Sequence, residues 1–395
     1  MMKSRRGTKA SVGVVGREVR APMVTSAVAS RITAGELDGE TGGTWIRRPI
    51  VKDPGTLLLL VVVAAMMATG CGDADPGSAW EIVDIPTQAD IWGLRFLDAQ
   101  RGYLAGGGIW VDGGLVGHTE DGGRSWELDS GLVAKRRGVM SFAFYDVCFL
   151  DDLRGFLVGH TGVLLTTSTG WRGFSQLTGG AVYAHLRSLQ FVDDRFGWAV
   201  GETGILATDD GGQTWPWRGP EGEPPPRIAS RAIYFTDRDH GHLAGRNGKL
   251  MRTVDGGRHW QPADTTPAAS GGPHLFGLHF ADARHGWAVG EHGAIWHTVD
   301  GGARWTAQDS GVNDFLLDVH FITPERGWVV GHDRELGRGV VMGSDDGGAT
   351  WVVDLEVPGE ELYALDALPS GEAWAVGKHV GPGSQRLLRQ VPPRP

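Results

Sequence analysis

From about Trp80 onward, short apolar runs of four to six residues alternate with breaks rich in Gly, Asp and Ser, too short for helices and spaced as strands are. The clearest run is Gly-aromatic-apolar-apolar-Gly. It occurs as Gly102-Tyr-Leu-Ala-Gly106, Gly155-Phe-Leu-Val-Gly159, Gly197-Trp-Ala-Val-Gly201 and Gly241-His-Leu-Ala-Gly245, then as Gly286-Trp-Ala-Val-Gly290, Gly327-Trp-Val-Val-Gly331 and a seventh, altered copy ending at Gly377. Successive copies lie 53, 42, 44, 45, 41 and about 46 residues apart. A period in the low forties with four apolar runs per unit predicts the blades of a propeller. Each unit reads as an inner strand, the Gly-aromatic strand, a third strand and an outer strand opening with Trp.

Between the third and outer strands stands Ser/Thr-x-Asp-x-Gly-x-x-Trp, with Asp121, Asp210, Asp255, Asp300 and Asp346 paired with Trp126, Trp215, Trp260, Trp305 and Trp351. The carboxylate can accept N–H bonds across a turn, glycine admits positive φ, and the Trp covers the turn. These aspartates are therefore expected to be structural, and they lack the alternating ligands of a calcium loop. The second unit is degenerate (Thr167 to Phe174) and the seventh has no box. Trp80–Ile85 matches an outer strand and the last unit lacks one. The expected fold is all-β, a seven-bladed β-propeller of four-stranded blades over residues 80–391, closed by pairing that N-terminal strand with the last blade, which removes sheet edges.

Composition agrees, with 63 Gly and 16 Trp. Charge is uneven: from position 71 on there are 27 basic and 42 acidic residues, a formal charge of −15. That surface repels nucleic acid, and no basic stripe interleaves with aromatics. Ahead of it, Arg47, Arg48 and Lys52 precede the apolar run Leu57–Ala68 and then Thr69-Gly70-Cys71. The run is too short to span a bilayer. Residues 47–70 read as a signal peptide with a lipobox-like end, Cys71 as the acylated first residue, 71–79 as a tether and 392–395 as a tail. Residues 1–46 are polar and featureless, and translation is expected to start downstream of Met1. The protein is thus expected to be exported and lipid-anchored to a bacterial cell envelope, as a monomer.

The string Phe-x-Asp-x-x-x-Gly-Trp-Ala-Val-Gly-x-x-Gly-x-Ile-x-x-Thr-x-Asp-Gly-Gly-x-x-Trp, matched closely from Gly286 to Trp305, resembles the photosystem II assembly and stability factor family. The resemblance covers about residues 80–391. It implies a seven-bladed, often lipid-anchored scaffold without catalytic activity that holds a membrane-protein subunit during assembly. It also implies an arginine-rich patch; here the positions after the second strand read His160, Glu202, Arg246, Glu291, His332 and Lys378, a ring of mixed charge.

Asp boxes also occur in neuraminidases and xyloglucan hydrolases, so a glycan-binding or glycan-cleaving propeller is the alternative. The sialidase Arg-Ile-Pro element has only a displaced relic, Arg227-Ile228-Ala229. His274, His279, His285, His292 and His297, with His240 and His242, match no metal-ligand spacing. No catalytic residue, metal or cofactor is expected. Cys148 reads as a small buried hydrophobe. The binding candidates come from aligning the units: two residues before the inner-strand aliphatic stand Trp92, Tyr145, Arg187, Arg231, Phe276 and Leu317, expected near the axis where aromatics beside arginines suit protein recognition. Arg246 and Lys378 extend this set, and the long first spacing adds Lys135–Arg137 through Phe144 as a second candidate surface.

Overall fold

The computed structural model describes residues 80–390 except 109–112, 131–142, 178–184, 220–229, 267–270, 334 and 382. The signal, Cys71, the tether, the Lys135–Arg137 stretch, Arg227–Ala229 and the tail lie outside the described residues.

Seven sheets follow one another along the chain, and the seventh orders its strands so that Trp80–Ile85 pairs with Gln385–Gln390, beside Ala373–His379 and Glu360–Ala367. Trp80 lies opposite Gln390 and Ile85 opposite Gln385, which closes the ring. Two blades depart from four strands. In blade 3 the outer strand shrinks to a single bridge between Leu206 and Trp217. In blade 5 a fifth strand, Asp264–Thr266, adds in parallel to Arg304–Gln308.

The first glycine of each motif has a steric cause. Gly102, Gly155, Gly197, Gly241, Gly286 and Gly327 lie opposite Phe96, Phe149, Phe191, Phe235, Phe280 and Phe321 at the ends of the inner strands. A Cβ on any of these glycines would overlap the facing ring. Lying flat on glycine, each Phe meets the preceding blade: Phe149 stacks on Tyr103 (ring centroids 3.6 Å apart), Phe235 on Trp198 (3.6 Å), Phe321 on Trp287 (3.5 Å) and Phe96 on Trp374 (3.7 Å). His242 does the same against Phe280, and burial holds its imidazole neutral by lowering its pKa to about 3.

The boxes complete these seams. In blade 1 the Thr119 hydroxyl donates to Asp121 (2.8 Å) and accepts the Gly123 N–H (3.0 Å), while Asp121 accepts the Ser125 N–H (2.9 Å). Gly122 and Gly123 take φ of 75° and 86°, which a side chain would resist. Trp126 then sets its edge against Phe96, as Trp215, Trp260, Trp305 and Trp351 do against their own Phe. Phe174 takes that place in the degenerate second unit. Across the seam, the indole N–H groups of Trp198, Trp287 and Trp374 donate to box carbonyls of Gly256, Gly347 and Gly122. Each aromatic pair adds about 0.5–1.5 kcal/mol beyond its burial.

The seam between blades 6 and 7 differs. Its Phe position is Ala367, and the residue opposite is Ala373 rather than glycine. Phe and Gly are thus replaced together, as steric coupling requires. The same coupling predicts a non-additive pair. Phe280→Ala should cost about 3–5 kcal/mol and Gly286→Ala about 1–3 kcal/mol. The double variant in urea unfolding should fall short of their sum by about 1–2 kcal/mol. Simple additivity would mean that the ring does not set the glycine.

Candidate functional site

The second glycine of the motif shapes the axis. A Cβ on Gly106, Gly159, Gly201, Gly290, Gly331 or Gly377 would overlap the backbone carbonyl of Asp90, Ala143, His185, His274, Phe315 or Glu361. Each of those carbonyls stands at or next to the start of an inner strand, and just beyond it every inner strand carries a β-bulge. In blade 1, Ile91 pairs with Gly106 and Gly93 with Ala105, which leaves Trp92 unpaired. Tyr145, Arg187, Arg231, Phe276, Leu317 and Tyr363 occupy the same extra position in blades 2 to 7. A bulge bends its strand and re-aims the extra side chain. All seven line one cavity of about 120 Å³ at that end of the axis. The alignment of units identifies six of them; Tyr363 was hidden because the seventh unit lacks the first glycine, although it too stands two residues before an aliphatic, Leu365.

Within this mouth Trp92 stacks on Tyr363 (4.3 Å, planes 4° apart) and meets Tyr145 edge-on. The Tyr363 hydroxyl donates to Glu361. On blades 3 and 4 the wall is cationic. The Arg187 guanidinium lies 4.2 Å over Tyr145 and that of Arg231 5.0 Å over Phe276. Glu202 is shared between Arg187 (3.6 Å) and Arg246 (4.0 Å). No ion pair joins Arg231 to a carboxylate of the described residues; burial, with Arg187 and Arg246 beside it, pushes its pKa down. This half of the mouth can accept a carboxylate, and the other half an apolar or aromatic group. Lys378 does not join the arginines: it sits on blade 7 opposite Glu361. Around the rim, Thr161, Asn247 and His292 hold φ of 55–59° in turns after the second strand, a strained state for a β-branched residue such as Thr161.

Farther along the axis a cavity of about 390 Å³ includes Arg95, Asp146, Gln190, His279, Asp318 and Asp366 in its lining. Five of these side chains stitch blades together. Asp146 accepts the N–H of Leu189 (2.8 Å), Gln190 that of Phe235 (2.6 Å), His279 that of Phe321 (3.3 Å), Asp318 that of Leu365 (2.9 Å) and Asp366 that of Phe96 (2.6 Å). The innermost strands are sheet edges whose free N–H groups need partners, and the preceding blade supplies them. Cys148 lines this cavity rather than packing as a wholly buried hydrophobe, and burial pushes its thiol up to about 11.

The histidines do not converge. His240 and His285 pair with Asp237 and Asp282, His274 accepts the Asn247 N–H, and His297 stacks on Trp287. Among the described residues no group of three or more His, Cys, Asp or Glu is placed to hold a metal ion.

The molecule is a closed Asp-box propeller with an aromatic and cationic mouth on its axis. The family model described as "Photosynthesis system II assembly factor YCF48" matches residues 73–179 and 227–308, and over those segments the chain is similar to that family. It is 31% identical over 124 residues to the photosystem II assembly lipoprotein Ycf48 of Synechococcus sp. (strain CC9902), covering 30% of this chain and 34% of that protein. It is 37% identical over 100 residues to the Nostoc sp. (strain PCC 7120) protein of the same name, covering 23% and 26%. The matched segments thus span about a third or less of these relatives. A solved structure described as "YCF48 bound to D1 peptide" superposes with a TM-score of 0.64 at 23% identity, covering 81% of this chain and 99% of that one, a likeness of fold.

The axial carboxylates give the fold a pH signature. Burial, opposed by the backbone N–H bonds, raises Asp146 and Asp318 to about 7. In the unfolded chain they ionise near 3.9. Between those values the unfolded state binds fewer protons, so their contribution to stability is full below pH 4 and is lost as pH rises to 7. Melting temperatures of the wild type and of Asp146→Asn/Asp318→Asn should diverge across that window, in the variant's favour, and run parallel above it. Parallel profiles throughout would show that these carboxyls are not raised.

Proposed function

We propose that this protein is a non-catalytic scaffold of the cell envelope, anchored through Cys71, that holds an extended segment of a membrane-protein client in the axial mouth. The observation that carries this reading is the convergence of seven bulge side chains, Trp92, Tyr145, Arg187, Arg231, Phe276, Leu317 and Tyr363, on one opening. Large aromatics and arginine are the residues that dominate protein recognition. The set itself contains no carboxylate, histidine, serine or cysteine, and its large aromatic and cationic side chains are groups that grip a segment. Arg246 widens the cationic side. The relatives named lipoproteins support the anchor, and the relative described as bound to a D1 peptide supports a peptide as the kind of client. The net negative surface disfavours nucleic acid.

Affinity capture of the tagged full chain from gently solubilised membranes, with mass spectrometry, tests this reading. A membrane-protein subunit or assembly intermediate should come down stoichiometrically, and Arg187→Ala/Arg231→Ala should abolish its recovery. Arg187 loses one long pairing with Glu202 and each arginine one contact with a ring, worth about 1 kcal/mol or less apiece, so the melting temperature should hardly move. Unchanged capture by the double variant would remove the mouth from the mechanism; recovery of polysaccharide without protein would favour a glycan-binding propeller.

A further inference from the structure

The axial cavity of about 390 Å³ is larger than the mouth and takes no part in gripping a segment there. The seven inner-strand aliphatics from Leu94 to Leu365 stand at its mouthward end. Leu368 and Pro369, in the turn between Glu360–Ala367 and Ala373–His379, stand at the other, so the cavity faces the box end of the ring.

The acceptors in its wall are largely spent. Asp146 takes the N–H groups of Val147 (2.8 Å) and Leu189, Asp318 those of Val319 (2.9 Å) and Leu365, and Asp366 that of Phe96. The donors are not spent. The Arg95 side chain is 51% exposed, and among the described residues its one ion pair is with Asp366 at 3.5 Å, the loose limit of such a bond. His279 accepts the Phe321 N–H on Nδ1, so its proton stands on Nε2, which has no partner of its own. The Tyr234 hydroxyl likewise has no hydrogen-bond partner among the described residues. Both atoms keep surface in the cavity, unlike the enclosed unbonded atoms elsewhere in the ring.

Burial above all, with the Arg95 charge facing both rings, keeps His279 and His320 neutral. Burial also raises Asp146 and Asp318 to about 7, so at pH 6 they oppose an incoming anion only weakly. The remaining wall suits a flat body: His279 stacks on His320 (4.1 Å), Tyr234 meets His279 edge-on (4.9 Å), and the aliphatic ring closes one end. Unspent donors from blades 1, 4 and 5 beside an apolar floor are the complement of an acceptor-only anion carrying an apolar group.

We propose that the axial cavity is a binding site for a small organic carboxylate, whose oxygens accept from Arg95, His279 Nε2 and Tyr234 and whose flat apolar body lies against the imidazoles and the aliphatic ring. The site is separate from the mouth and does not depend on what the mouth holds.

The full chain is titrated calorimetrically at pH 6 and low salt with benzoate and indole-3-acetate, and with benzamide and indole-3-acetamide as their uncharged counterparts. Saturable one-to-one binding of at least one acid is expected, tighter than that of its amide by about tenfold or more. Arg95→Gln should remove this preference, and Tyr234→Phe should weaken the acid several-fold. Arg304→Gln, the same charge change at an exposed site on blade 5, should leave binding unchanged. Should Arg95→Gln fail to fold, Tyr234→Phe deletes only a hydroxyl and keeps the test open. Three results overturn the proposal: no saturable binding of either acid at millimolar concentration, equal binding of acid and amide, or binding that Arg187→Ala/Arg231→Ala weakens while Arg95→Gln and Tyr234→Phe do not.

Discussion

Everything in this ring depends on a phenyl ring lying flat on a glycine. The first glycine of each unit lets the Phe of the neighbouring strand collapse onto the backbone, where it can reach the aromatic of the previous blade. The second glycine does the complementary job at the other end of the same strand, admitting the carbonyl that leads into the bulge. One five-residue motif therefore sets both the spacing between blades and the direction of the residues at the mouth. Blade 7 separates the two roles: it exchanges the Phe–Gly pair for Ala367–Ala373 yet keeps Gly377 and the bulge at Tyr363. The mouth survives there, and a cavity of about 480 Å³ opens at that seam.

The acidic excess has a similar structural origin. Asp98, Asp151, Asp193, Asp237 and Asp282 accept backbone N–H bonds in the turns between inner and second strands. The box aspartates cap a second set of turns. Partial burial works to raise Asp210, but the hydroxyl and N–H of Thr214 and the Thr208 hydroxyl outweigh it and hold its carboxyl at about 2. The axial aspartates cap sheet edges but sit where water is scarce, and burial wins, so they rise. Identical side chains making similar bonds move in opposite directions because desolvation decides the sign. Few of these carboxylates are left over for chemistry, and counting acids in the sequence says little about catalysis.

What was legible in the sequence was what repeats. Blade number, closure by Trp80–Ile85 and the structural role of Asp121 and its counterparts follow from spacing, because each unit solves the same steric problem. The mouth was readable as well, through the alignment of Trp92, Tyr145, Arg187, Arg231, Phe276 and Leu317. What could not be read were interactions between units. The His279 side chain looks like a free ligand until Phe321, 42 residues on, presents an N–H to it. Cys148 faces the axis because of how seven strands converge, not because of its neighbours in sequence. The reduction of the blade 3 outer strand and the addition of Asp264–Thr266 to blade 5 arise where the spacing between motifs is nearly regular, so no length signal marks them.

A ring of seven near-equal units poses a problem for recognition, because a symmetrical mouth would hold a segment in seven equivalent registers. Here the positions that build the seams differ little between units, whereas the bulge positions read Trp, Tyr, Arg, Arg, Phe, Leu and Tyr. Variation is concentrated where it points into the opening. Arginines occupy adjacent blades 3 and 4, with Arg246 behind them, and the Trp92–Tyr363 stack bridges blades 1 and 7 across the ring. A segment with one anionic and one apolar end would therefore be held in one orientation. Because the bulges belong to the innermost strands, each tied to at least one neighbour by a side-chain bond, such binding would order little of the protein itself. Preorganisation of that kind turns a small opening into a selective one, since the entropy of shaping the site has already been lost in folding.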